Sequence, residues 1–176
     1  MDTVETPLVI DVRDVRYGDP ADAAALVELL DAYARDPMGG GEPLSAYARE
    51  HLAAELSRRP SAFSVIAWVR RDGEEHAAGL VNCLEGFSTF ACRPLVNVHD
   101  VAVRSEYRGL GIARRMLARV EALARARGAC KLTLEVLSGN GSAIALYRRA
   151  GFADYAIDLQ AGTARFMQKW LDPRDA

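Results

Sequence analysis

The sequence predicts an α/β sandwich: a mixed sheet of about seven strands flanked by four helices. Three observations predict it. Short stretches of alternating apolar and polar residues are interleaved with longer ones whose apolar residues recur every three or four positions. The most regular of these, Leu110 to Arg127, places Ile112, Ala113, Met116, Leu117, Val120, Leu123 and Ala124 on one stripe. The chain has 176 residues, half of them hydrophobic, which is enough for one real core and few for two. No repeat or linker divides it, so residues 1–176 are expected to form one domain.

The elements follow in order. "LVIDVRDVRY" alternates and reads as a first strand. Asp19-Pro20 opens a helix whose apolar face is Ala24, Leu26, Val27, Leu29 and Leu30, and "DPMGGGEPLS" breaks it. A second helix runs from about Ser45 to Ser57, with Leu52 and Leu56 one turn apart. "AFSVIAWVR", the turn signal Asp72-Gly73 and "EEHAAGLVNCLEGF" make a hairpin. "LVNVHDVAV" is another strand. The Leu110–Arg127 helix carries arginines 114, 115, 119 and 125 mostly off its apolar stripe and ends at Gly128. "KLTLEV" is a short strand, and Asn140 caps a last helix with Ala143, Leu146 and Ala150 inward, stopped by Gly151. "FADYAIDL" and "TARFMQKW" are expected to close the chain as an antiparallel strand pair.

Bulk properties narrow the function. A net charge of −2 gives no pull toward nucleic acid or an anionic membrane. No stretch approaches about 18 uninterrupted apolar residues, and "MDTVETPLVI" lacks the basic-then-apolar order of a secretory signal. Cys83, Cys92 and Cys130 are odd in number, far apart and in no CxxC pair. They read as reduced thiols of a cytoplasmic protein, with no metal site expected.

The stretch "EYRGLGIARRML" sets two poor helix formers, Gly109 and Gly111, at a helix start. A helix start offers unpaired N–H groups and the positive end of the dipole, and bare glycine lets a phosphate approach them. Arg108 and Arg114 flank the site with positive charge. The nucleotide-binding pattern GxxxxGK[ST] is absent. Gly109 and Gly111 also fit the start of the dinucleotide fingerprint GxGxxG, with Glu135 downstream. Arg114, however, stands where the third glycine belongs, and Ser105 to Arg108 lengthen the turn. A turn whose glycines only relieve backbone strain is the plain alternative.

Val101-Ala102-Val103 followed by Arg108-Gly109-Leu110-Gly111-Ile112-Ala113 resembles motif A of the GCN5-related N-acetyltransferase (GNAT) family. Asn140, Ala143, Leu146, Tyr147, Gly151 and Phe152 resemble its motif B, at full spacing and in the right order. The resemblance implies a mostly antiparallel sheet in which "LVNVHDVAV" and "KLTLEV" form a splayed parallel pair. It also implies acetyl-CoA in that cleft, its pantetheine arm along Val101, Ala102 and Val103 like a guest strand. Its pyrophosphate would sit on Arg108, Gly109, Leu110, Gly111, Ile112, Ala113 and Arg114, with Asn140 and Tyr147 as further contacts.

Acetyl transfer to an amine must remove a proton from a group of pKa about 10.4, stabilise charge on the thioester oxygen and protonate the departing thiolate. A backbone N–H near Val101 suits the oxyanion. By the resemblance, Tyr147 is the acid; a tyrosine packed on the core with a bonded hydroxyl is the alternative. His99, Asp100 and Glu85 are the candidates for base or ammonium anchor, with His99 sharing a strand face with Val101 and Val103 and Asp100 facing the other way. Phe87 and Phe90 are candidates for an acceptor wall, and Gly39–Gly41 reads as a lid or a plain connector. The expected partner is a small-molecule amine, and "TARFMQKW" offers an edge for a homodimer. An acyl-CoA-binding sensor is the second reading, and a dinucleotide-dependent oxidoreductase a remote third.

Overall fold

The structure, a computed structural model, describes residues 8–155 and 164–171. Its strands are β1 (Val9–Asp14), β2 (Ala62–Arg71), β3 (Glu74–Ser88), β4 (Arg93–Val103) and β5 (Leu132–Leu134). Its helices are α1 (Pro20–Ala34), α2 (Ala46–Ser57), α3 (Ile112–Ala126) and α4 (Gly141–Arg149). The strands form one sheet in chain order, antiparallel from β1 to β4, with β4 and β5 parallel.

Local chemistry sets the helix starts. The Asp19 carboxylate accepts from the amides of Ala21 and Asp22, with Pro20 as the first residue of α1. Ser45 accepts from the Ala48 amide, and Asn140 from the Ala143 amide. Gly111 begins α3 in the left-handed region, at φ 74°, with no side-chain cap. That conformation disfavours a side chain, which explains the glycine.

The sheet has an apolar core on each face. Met116, Leu117 and Val120 of α3 pack on Val65, Val69, Val81 and Val98, joined by Leu146 and Tyr147 of α4. Leu26 and Leu29 of α1 pack on Ile66, Leu80 and Ala102, with Leu52 and Leu56 of α2 partly buried beside them. Fully burying such an aliphatic side chain contributes roughly 1.5–3 kcal/mol. Arg119 grips Asp14 bidentately at 2.8 and 2.7 Å, tying α3 to β1.

Two expectations are corrected. The sheet has five strands among the described residues, not about seven. Residues 152–155 and 164–171 carry no strand, and the rest of the expected closing pair lies outside the described residues. The three residues of β5 offer a short template for further pairing. Phe166, Met167, Trp170 and Leu171 are all exposed.

Candidate active site

The parallel pair is where the sheet opens. β4 meets β5 only from Val96 to Val98, opposite Leu132 to Leu134. From His99 to Val103, β4 has no partner on that side among the described residues. The edge left there is a row of backbone groups able to pair with an extended guest.

A bulge sits at the same place. Cys83 of β3 faces Val98 and Asn82 faces Asp100, leaving His99 as the extra residue. The regular alternation expected to group His99 with Val101 and Val103 is therefore interrupted. Val96 and Val98 pack on the α3 side, and so do Val101 and Val103 beyond the bulge. Ala102 packs on the α1 side, and Asp100 shares its parity.

A cavity of about 510 Å³ opens beside the splayed strand. Val101, Ala102 and Val103 form its floor, and Arg108, Gly109, Gly111, Ile112, Ala113 and Arg114 its basic corner. Asn140 and Tyr147 enter from α4. A Cβ added at Gly109 or Gly111 would meet nothing within 4 Å, yet both have positive φ, 82° and 74°. The glycines thus serve the turn and leave open space over uncapped amides. That fits a diphosphate, and with the splayed strand it fits the pantetheine arm of coenzyme A.

Tyr147, the acid candidate of the sequence, stands in the wall. Burial, reinforced by the nearby Tyr33, pushes its phenol up to about 12, so it holds its proton at any ordinary pH. Phe152 packs edge-on against its ring at 5.9 Å. The residue is half-buried, packed on the α3 side of the core while lining the cavity.

The other sequence candidates divide. Arg108 is in the corner, but its Nη2 is bound to Asp36 at 2.9 Å and its Nε donates to the Val103 carbonyl at 3.2 Å. Leu110 is exposed beside the glycines. Asp100 adjoins the floor and is joined to Asn82. His99 is exposed at the bulge, where its Nδ1 lies 3.3 Å from Asn97 Oδ1. Asn97 Nδ2 donates to Glu135, so its oxygen faces the ring and accepts from Nδ1–H. Glu85 lies apart, paired with Arg127 at the end of α3, whose guanidinium covers Phe63. Phe87 and Phe90 are exposed and line no part of this cavity.

Sequence reasoning missed the wall contributed by α1 and the loop after it. Tyr33, Asp36 and Met38 line the cavity, as do Ser142 and Arg149 of α4. Tyr33 continues the Leu26–Leu29 stripe by one turn, a spacing that could have found it. Burial, then the charges of Asp100 and Asp36, hold its phenol above the ordinary value. The glycine run is pressed onto α1: a Cβ at Gly39 would lie 2.0 Å from the Tyr33 carbonyl oxygen. The Met38 amide donates to Asp36 at 2.9 Å, fixing that carboxylate in place.

Comparison with known proteins bears on the family and the fold. The sequence matches the acetyltransferase (GNAT) family over residues 24–152. It is 39% identical over 93 residues to streptothricin acetyltransferase of Streptomyces lavendulae, an alignment covering 50% of this chain and 49% of that protein. The chain thus matches about half the length of that curated relative. An aminoglycoside acetyltransferase from an uncultured soil metagenomic sample, solved with sisomicin, shares the fold at TM-score 0.70 and 14% identity, covering 92% of this chain and 96% of that one. A ribosomal-protein-alanine N-acetyltransferase from Brucella melitensis does so at TM-score 0.61 and 21% identity, covering 85% and 99%. The chain belongs to the GNAT family of N-acetyltransferases.

Proposed function

We propose that this protein transfers an acetyl group from acetyl-CoA to a primary amine of a small molecule, by direct attack with both substrates bound. Acetyl-CoA supplies the activated acetyl thioester. The supporting observation is that one cavity joins the uncapped glycine start of α3, the unpaired edge of β4 and Tyr147. The amides of residues 109–114 hold the diphosphate, and the backbone of Val101 and Val103 aligns the arm. An N–H near the bulge serves the thioester oxygen.

The acceptor amine arrives mostly as ammonium and must be held and deprotonated. Asp100 pairs with the ammonium, and His99 takes its proton on Nε2, directly or through water. Tyr147 keeps a proton on its hydroxyl for the departing sulfur. As the new N–C bond forms and the C–S bond breaks, the amine proton passes to His99 and the phenolic proton to the thiolate.

Cys83 does not offer a covalent route, since burial pushes its thiol up to about 12. The Asp100 carboxylate, one residue before the floor, favours a cationic acceptor, in keeping with relatives named for streptothricin and aminoglycosides. The test is a broad amine panel, including both antibiotic classes, incubated with acetyl-CoA and read by mass spectrometry. An acceptor gaining one acetyl group, with the rate lost in Tyr147→Phe, is expected. Coenzyme A binding with no amine ever acetylated would favour the sensor reading instead.

A further inference from the structure

Three polar side chains run through the apolar layer between α1 and the sheet. Ser64 of β2 and Asn82 of β3 are buried, 3% and 7% exposed, beside Ile66 and Leu80. A buried polar group costs about 1–3 kcal/mol unless it is paired. Here every one is paired, in a single chain. Tyr17 Oη lies 2.8 Å from Ser64 Oγ, Ser64 Oγ donates to Asn82 Oδ1 at 2.6 Å, and Asn82 Nδ2 donates to Asp100 Oδ2 at 3.0 Å.

The direction of these bonds is determined from one end. An ionised Asp100 carboxylate only accepts, so the amide nitrogen of Asn82 must face it. Its oxygen then faces Ser64, which must donate, leaving Ser64 to accept from Tyr17. Burial holds the Tyr17 phenol above its ordinary value, so it keeps the proton it gives. An amide in the middle does not pass a proton along without tautomerising, so the chain orients and does not conduct.

What it orients is Asp100, directly across from Asn82 and one residue beyond the bulge. Asp100 precedes Val101 and Ala102, which floor the cavity, and its charge is felt by Tyr33 in the wall. We propose that Asn82, itself held by Ser64 and Tyr17, is a positioning residue that ties down Oδ2 of Asp100 and presents Oδ1 to the ammonium of a cationic acceptor. This rests on the acetyl-transfer reading of the cavity. A free carboxylate at a bulge would swing through several rotamers, and each acceptor bound would bear the cost of stopping it.

The experiment is a double-mutant cycle of Asn82→Leu and Asp100→Asn. It is read by calorimetric titration of sisomicin into coenzyme A-saturated protein, and by KM and kcat for whichever amine the panel identifies. Asn82→Leu is expected to weaken amine binding and raise acceptor KM about tenfold, with coenzyme A affinity unchanged and kcat little altered. In the Asp100→Asn background the same change is expected to do almost nothing. Ser64→Ala, which keeps the amide but removes its orienting donor, is expected to show a smaller loss of the same kind, and it carries the test if Asn82→Leu does not fold. An equal loss with and without the Asp100 carboxylate, or a loss of coenzyme A affinity, overturns the proposal while acetylation by the wild type stands. A wild type that binds coenzyme A but neither binds nor acetylates any amine overturns both readings.

Discussion

The guanidinium of Arg108 is bound to the carboxylate of Asp36, Nη2 to Oδ2 at 2.9 Å, in the wall of the cavity proposed for coenzyme A. The Met38 amide and then Arg108 hold that carboxylate below the usual range, so it is ionised at neutral pH. An incoming diphosphate therefore competes with Asp36 for the same guanidinium and also meets its charge. Asp36→Asn is expected to tighten coenzyme A binding about fivefold, roughly 1 kcal/mol for a partly exposed pair. Isothermal titration at low salt measures it. Weaker binding would mean that Asp36 holds Arg108 ready for the cofactor instead of competing for it.

Tyr147 should matter to rate and not to affinity. Tyr147→Phe removes only the phenolic oxygen and is expected to lower kcat about 10²-fold with coenzyme A affinity nearly unchanged. Because burial pushes the phenol up to about 12, its ionisation should leave the rate untouched below about pH 10. A pH–rate series on both proteins checks this. Full turnover in the variant, with the chemical step limiting, removes Tyr147 from the mechanism.

Acid should destabilise the fold in a defined window. Asp31 beside Arg35, Asp36 beside the Met38 amide and Glu55 beside Arg59 are all held below their ordinary values. So are Glu75 beside Arg13 and Glu106, by its own backbone amide. Their contribution is complete above the ordinary values of 3.8 for aspartate and 4.5 for glutamate, and is lost as pH falls through the lower folded values. Thermal unfolding from pH 7 to pH 3 should show Tm steady at first and then falling below about pH 4.5. A Tm that holds constant down to pH 3 would contradict it.

The core under α3 should be intolerant of a void. Met116 is fully buried against the sheet, so Met116→Ala is expected to cost about 2–5 kcal/mol in urea unfolding. A cost under about 1 kcal/mol would mean that α3 repacks freely on the strands.

Elements whose periodicity is strong were legible in the sequence. The stripe from Ile112 to Ala124 and the strand-like run "AFSVIAWVR" became α3 and β2, and the glycines at 109 and 111 marked the helix start. What depends on long-range geometry was not legible. The extra residue at His99 interrupts an alternation that sequence alone reads as regular. Glu85 is paired with Arg127, 42 positions away, a proximity only the packed sheet creates. Asn82 and Ser64 look like ordinary polar interruptions of apolar strands until their register lines them up with Asp100. Asp36 reads as part of a loop, and its role in the wall follows from how Gly39 presses that loop against α1.

The most direct measurement is a crystal structure of the protein soaked with coenzyme A. Density for the diphosphate is expected within hydrogen-bond reach of the amides of residues 109–114, with the pantetheine arm along Val101 to Val103 and the sulfur beside Tyr147. Ordered coenzyme A elsewhere on the molecule, with the Gly109–Ala113 corner holding none of it, would contradict the assignment of this cavity and the chemistry built on it.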